Sequence, residues 1–261
     1  MPPLVSCVMV TGKTLQHEKL ARLSLRDFLL QTHTPRELIV VNDGQYRLLP
    51  PGRDYLTSGD PVQSSDGQLP CPSQTLIYEP VLHPVGNNQH ASLGELRNIG
   101  LDHAKGDFVC QWDDDDHHHP SRVKMQLDLL QASGKEICCL THQVRYSIPT
   151  NSAFVARNTD PGIVGTVLHR KTTRRYPLLG KHEDSHFFKA YPLQERLLIP
   201  NSPATFPGPA CYVRMFHGHN TFGQKHIMSG AWTWQDRWDL PTESLRNYLQ
   251  GIVHQYKQAV S

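Results

Sequence analysis

Four consecutive acids, Asp113-Asp114-Asp115-Asp116, follow directly on the apolar run Phe108-Val109-Cys110-Gln111-Trp112. In an extended segment alternate residues point the same way, so Asp113 and Asp115 can present carboxylates to one point. Hard oxygen ligands of that kind suit Mg²⁺ or Mn²⁺, with substrate phosphates completing the shell. A bare acidic run is ordinarily a solvated loop. Its place after a buried strand, and the repulsion among four carboxylates that a cation relieves, favour the metal reading. His117-His118-His119 follows at once. Three consecutive side chains cannot converge on one ion, so the triplet is not expected to form a zinc site by itself; it is left either to touch a phosphate or, through His119, to sit at a helix N-cap.

Two further groups could do chemistry. Glu183-Asp184 opens the segment Glu183-Asp184-Ser185-His186-Phe187-Phe188, whose two aromatics anchor a helix. An acid there is either a dipole partner for the helix or a general base for an acceptor hydroxyl. His217-Gly218-His219-Asn220 offers an imidazole, which Mn²⁺ accepts more readily than Mg²⁺, set against a structural histidine. Trp232, Trp234 and Trp238 read first as packing residues; if exposed, they would stack on sugar faces. The basic run His169 to Arg175 reads as a solvated loop, with donor phosphates or an anionic acceptor as its functional alternative.

These residues need a scaffold. Leu4 to Val10 reads as a buried strand, Glu18 to Leu30 as an amphipathic helix and Leu38 to Val41 as a second strand stopped by Asn42-Asp43-Gly44. Residues 45–74, rich in Pro, Gly, Ser and Asp, read as a long loop or insertion. Thr75 to Tyr78 is a third strand. Ser92-Leu93-Gly94-Glu95 has the form of a capping box and opens a helix to about Ala104, ended by Gly106. Phe108 to Trp112 is a fourth strand, and Pro120 suits the first position of the next helix. Strands alternating with helices predict an open, largely parallel sheet. In such sheets ligands sit beyond the carboxyl ends of the strands, where both Asp43 and the acidic run fall. Beyond 135 the strands expected are Ile137 to Leu140, Gly165 to Arg170 and Tyr212 to Phe216, with a terminal helix from Ser244 to Tyr256.

Bulk properties narrow the class. The 261 residues suffice for one large α/β domain with a real core. A net charge of +2 without a concentrated basic patch argues against nucleic-acid binding. The six cysteines form no CxxC pair, and several lie in apolar runs, which favours a reducing compartment without disulfides. No segment resembles a signal peptide or approaches the ~20 apolar residues of a membrane span. A cytoplasmic location, with peripheral contact at the inner membrane face as the membrane option, is expected. The lack of GxGxxG, GxxxxGK[ST] and GxSxG argues against dinucleotide oxidoreductases, P-loop kinases and α/β-hydrolases.

In order along the chain, Val41-Asn42-Asp43-Gly44, Glu95-Leu96-Arg97-Asn98-Ile99-Gly100, Gln111 to Asp116 and Glu183-Asp184 together resemble the family 2 glycosyltransferases. The resemblance spans residues 4–220 and implies the GT-A fold, an open, mostly parallel α/β sheet flanked by helices. It divides the single domain into a nucleotide-sugar half (1–116), an acceptor and catalytic half (117–230) and a C-terminal extension (231–261). It places Thr11, Asp43, Arg97, Asn98, Asp113 and Asp114 at the donor, with Asp113, Asp115 and His217 at a Mn²⁺ or Mg²⁺ ion. Asp184 becomes the catalytic base, and Glu183, Trp232 and Trp234 fall on the acceptor side. The expected reaction is inverting transfer from a nucleotide-diphosphate sugar, a UDP-sugar first, to a saccharide or other hydroxyl acceptor. The alternatives are a non-catalytic nucleotide- or glycan-binding module on the same fold, and a sugar nucleotidyltransferase, for which Thr11-Gly12-Lys13 is a poor Gly-rich turn.

Overall fold

A computed structural model of the chain describes residues 1–12, 14–44, 47–50, 53–64, 67–79, 91–201, 207–218, 220, 223, 236–238 and 243–260. Strand β1 (Val5–Thr11) leads into helix α1 (Leu15–Leu29), whose N-cap Thr14 accepts from the His17 N–H, and the chain returns in β2 (Arg36–Asn42). Three short strands follow, β3 (Tyr55–Thr57), β4 (Pro61–Ser64) and β5 (Gly67–Pro70), then β6 (Thr75–Tyr78). The stretch expected as a loop is therefore partly strand: β4 and β5 pair as a hairpin, while β3 adds antiparallel to β6 at the sheet edge. Prolines at the ends of β4 and β5 (Pro61 and Pro70) fit an isolated hairpin, where a missing donor breaks no central ladder.

Helix α2 (Leu93–His103) carries the expected capping box, Ser92 and Glu95 bonding each other's backbone N–H groups. It ends at Ala104, two residues before Gly106. Next come β7 (Phe108–Asp113), the two-residue β8 (His117–His118), α3 (Arg122–Ser133) and β9 (Ile137–Leu140). The N-cap of α3 is Ser121 rather than His119. The His119 ring still does a cap's work, because its Nδ1 accepts from the Ser121 N–H at 3.1 Å. The rest of the chain holds β10 (His142–Ser147), β11 (Ser152–Arg157), β12 (Ile163–Arg170), α4 (Glu183–Lys189), β13 (Arg196–Ile199), β14 (Tyr212–Phe216), β15 (Asp236–Trp238) and α5 (Glu243–Val260).

The main sheet has the order β13-β9-β12-β7-β1-β2-β6-β3. Its centre, β7-β1-β2-β6, is parallel; β12 runs antiparallel between β7 and β9, and β3 runs antiparallel at the far edge, so the sheet is mixed on both sides. One face packs on α1 and α3 through Leu25, Phe28, Val123 and Leu127. The other packs on α2 and α4 through Leu96, Leu101, Phe187 and Phe188. All six cysteines are free and buried, as small core hydrophobes are.

A second sheet, β15-β11-β10-β14-β8, has no counterpart in the strands expected between 141 and 160. Its β10 places Val144 and Tyr146 against Leu245, Leu249 and Val253 of α5. With a period of two, Gln143 and Arg145 must then point to the opposite face. Among the described residues, no helix is long and apolar enough to cross a membrane.

Candidate active site at the strand ends

Strands β7, β1 and β2 lie side by side with Val10 opposite Asp113 and Thr11 opposite Asn42. Their carboxyl ends therefore open on one edge, as the sequence implied for Asp43 and the acidic run. Gly12 has φ +132°, and a Cβ there would stand 2.4 Å from the Gly44 nitrogen. Only glycine lets the two turns close on each other. The Asp43 N–H donates to the Thr11 carbonyl at 2.8 Å. Thr11 and Asp43 are thereby fixed side by side.

Each member of the acidic run has its own environment. Asp113 Oδ1 accepts from Arg97 Nη2 at 3.2 Å and from Gln111 Nε2 at 3.2 Å, and its Oδ2 accepts from the Tyr212 hydroxyl at 2.9 Å. Asp115 Oδ2 accepts from His217 Nε2 at 3.1 Å and from Asn220 Nδ2 at 3.0 Å. Burial opposes the charge of Asp115, but His217 outweighs it and its pKa is lowered. Asp116 accepts from the Met215 N–H at 2.8 Å and meets the Tyr212 hydroxyl. A phenol has one proton to donate. Its two carboxylate contacts are compatible when Asp116 keeps its own proton, which burial and nearby Asp115 favour by raising its pKa. Asp114 is buried, and its Oδ2 has no hydrogen-bond partner among the described residues. Burial, then Asp115, pushes its pKa well up.

Of the three residues read as metal ligands, the structure brings Asp115 and His217 together. Asp113 instead has both oxygens engaged by Arg97, Gln111 and Tyr212. Among the described residues no group of three or more His, Cys, Asp or Glu side chains is arranged around one point for an ion. Asp114 and Asp115 line the small cavity, and the buried His217 ring stands against Asp115. They fit a hard divalent cation that takes the rest of its shell from substrate phosphates and water.

The histidine triplet is consumed by the framework. His117 Nδ1 lies 2.7 Å from Asp27 Oδ2, and its Nε2 lies 2.7 Å from the Tyr248 hydroxyl. His118 Nε2 meets the Asp113 carbonyl at 3.1 Å, and the guanidinium of Arg122 stands against its other nitrogen. His119 serves the α3 terminus, as described above. All three brace the strand that follows the acidic run.

Arg97 ties two parts of the site together. It projects from α2, is buried, and donates through Nε to Glu183 Oε1 at 2.9 Å as well as to Asp113. Burial works against its charge, but Asp113 and Glu183 outweigh it and hold the guanidinium protonated. Glu183 is 2 % exposed and committed to Arg97, so it braces the site rather than opening towards an acceptor. Asn98 spends both ends of its amide on the Tyr176 backbone, at 2.9 and 2.8 Å. The basic run is likewise committed: Arg174 faces Glu195 at 3.7 Å, and Arg175 pairs with Asp102 at 2.8 Å.

Asp184 sits at the first turn of α4, where its Oδ1 accepts from the Ser185 N–H at 2.6 Å. It lines two cavities. One, about 140 Å³, is walled by the acidic run, Arg97, Glu183 and Lys181. The other, about 380 Å³, is walled by Gln143, Arg145, Ile163, Lys189 and Arg214. Gly165 of β12 borders both, and a Cβ there would come within 2.7 Å of the Tyr212 hydroxyl and 2.9 Å of Asp113 Oδ2. Sequence reasoning missed Tyr212, Arg214 and Arg145. The signal for the first two was present: in the expected strand Tyr212 to Phe216, Tyr212 and Arg214 share a face. Trp232 and Trp234 lie outside the described residues, and of Trp238 only the backbone in β15 is described.

Comparison with known proteins adds a family match and a shared fold. The family model described as glycosyl transferase family 2 matches residues 76–194, which hold the acidic run and Glu183-Asp184 but stop before Tyr212. No curated protein sequence matches the chain significantly. Among solved structures, S. aureus TarS 1-349 superposes with a TM-score of 0.51 at 16 % identity, over 81 % of this chain and 60 % of that one. The same protein in complex with UDP-GlcNAc matches with a TM-score of 0.51 at 14 % identity, over 88 % of this chain and 61 % of that one. This chain thus spans about 60 % of the length of those TarS chains. Residues 76–194 are thus similar to family 2 glycosyltransferases, and the sheet that carries them has the GT-A fold.

Proposed function

We propose that the protein transfers a sugar from a UDP-sugar to an acceptor hydroxyl with inversion at the anomeric carbon, using Asp184 as the base. One observation carries this reading: Asp184 is the acid shared by the small acidic cavity at the strand ends and the larger cavity beyond it. A donor diphosphate in the first and an acceptor in the second would meet at its carboxylate. The neighbour TarS binds UDP-GlcNAc and UDP on the same fold, which supports a uridine nucleotide for this chain too.

In this mechanism the Thr11–Asp43 corner takes the nucleoside, and the acidic run faces the diphosphate. The acceptor hydroxyl enters from the larger cavity. Asp184 takes its proton as the oxygen attacks the anomeric carbon from the face opposite the diphosphate. The bond from carbon to diphosphate oxygen breaks, and the nucleoside diphosphate leaves with the electron pair. Arg97 keeps Asp113 and Glu183 in place throughout, and the Ser185 N–H holds Asp184 at the helix start. Mn²⁺ or Mg²⁺ bound at Asp115 and His217, beside Asp114, would supply charge neutralisation on the leaving oxygens.

A thermal-shift panel of nucleotide sugars, with and without Mn²⁺, tests the donor assignment. A ligand at a hundredfold excess over its Kd stabilises the native state by about 2.7 kcal/mol. A UDP-sugar is expected to give the largest shift, and to need Mn²⁺ for it. A panel in which no uridine nucleotide shifts the transition would overturn the assignment.

A further inference from the structure

The larger cavity has a chemical character of its own. Arg145 of β10 and Arg214 of β14 stand directly opposite each other in the parallel pairing of the second sheet. Both arginines line the cavity, as does Lys189 of α4. Arg145 is 6 % exposed. The Gln143 amide, with its oxygen turned towards Arg145, accepts from Nε and Nη2, both at 2.8 Å. An amide orients a guanidinium without neutralising it. Arg214 borders both cavities and keeps its charge, against burial, beside the acids of the smaller one. Arg145 is in the opposite situation: burial and then neighbouring Arg214 press against its charge. An arginine does not release its proton inside a protein, so two guanidiniums and an ammonium gather at one cavity beside Asp184. Planar guanidinium forks bind carboxylate and phosphate oxygens in pairs.

We infer that the cavity lined by Arg145, Arg214 and Lys189 binds an oxyanion of the acceptor, a phosphate or a carboxylate, and so selects acceptors in which that anion lies near the reacting hydroxyl. The inference rests on Asp184 marking the acceptor side. It moves acceptor recognition from the exposed arginines of the basic run to two arginines of the second sheet. The cavity's acids do not defeat it. Asp160 lies 3.7 Å from Lys189 Nζ, and Asp184 is the group that must reach the hydroxyl.

The test is calorimetric titration of the full chain, saturated with UDP and Mn²⁺, with sn-glycerol 3-phosphate and separately with glucuronate. Glycerol and glucose serve as neutral controls. At least one anion is expected to bind saturably at one site while the neutral pair does not; which of the two binds distinguishes phosphate from carboxylate. Arg145→Gln should weaken that binding by about tenfold or more, the loss expected for a charged hydrogen bond, and leave UDP affinity unchanged. Should Arg145→Gln fail to fold, seen as loss of UDP binding, Lys189→Gln provides the same readout with a smaller loss. Anion binding that UDP displaces, that the neutral controls match, or that neither variant weakens would overturn the inference. Failure of UDP itself to bind the unsubstituted protein would strike the donor reading instead; the anion titration would then be run without nucleotide.

Discussion

The two cavities that share Asp184 are built on opposite principles. In the small one, acids are held by polar partners: Arg97 bridges Asp113 and Glu183, and the His217 ring stands against Asp115. In the large one, charges of like sign are held side by side by strand register, with a neutral amide for orientation. The first is pre-organised around ligands of fixed chemistry, a nucleotide diphosphate and its cation. The second gathers cationic side chains around a space that an anionic ligand would enter. Matched charges give rigidity, and mismatched ones give selectivity for whatever completes them.

Breaking the matched side should have the largest effect. Arg97→Met keeps the volume but leaves Glu183 and Asp113 without their cation in a buried place. Breaking such a pair costs about 3–5 kcal/mol, so chemical denaturation should show an unfolding free energy lowered by that amount. The equivalent change on the mismatched side, Arg145→Met, removes a like-charge contact and should cost less.

A pH titration separates both cavities from the frame beneath them. His169 lines neither, and burial lowers its pKa to about 4. The unfolded chain binds that proton near pH 6.5. Between these values the unfolded state carries more protons, so stability falls as pH drops. The loss attributable to His169 is up to about 3 kcal/mol by pH 4. His169→Gln should flatten the acid limb of the stability profile without altering nucleotide binding at neutral pH.

The smallest effect is expected at the wall between the cavities. Tyr212→Phe removes the hydroxyl that meets Asp113 and Asp116. It should cost about 1–2 kcal/mol of stability and weaken nucleotide binding more than anion binding, since both acids face the smaller cavity.

The matched side was far more legible in the sequence than the mismatched one. The capping box at Ser92, the strand before Asp113 and the turn at Asp43 are local patterns, so the donor corner could be placed from residue spacing. The register that sets Arg145 against Arg214 joins strands some seventy residues apart, and no local pattern encodes it. The histidine triplet shows the converse limit. Its residue types suggested chemistry, yet His117 and His118 are taken up by Asp27, Tyr248 and Arg122. Asp27 and Tyr248 come from α1 and α5, distant enough in the chain that only the fold reveals them, while Arg122 lies four residues after His118. Likewise, Asp113 ends β7 while Asp115 lies in the bend that follows, and different neighbours claim them, Arg97, Gln111 and Tyr212 for the first and His217 and Asn220 for the second.

The central claim is that Asp184 serves both cavities as the base. The direct test is Asp184→Asn, which keeps the shape and the Ser185 contact but cannot accept a proton. UDP-sugar affinity in the presence of Mn²⁺ should stay within a factor of about two while turnover falls by about 10²–10⁴, the contribution typical of general base catalysis. Turnover that survives the substitution, or nucleotide binding lost together with turnover, would contradict it.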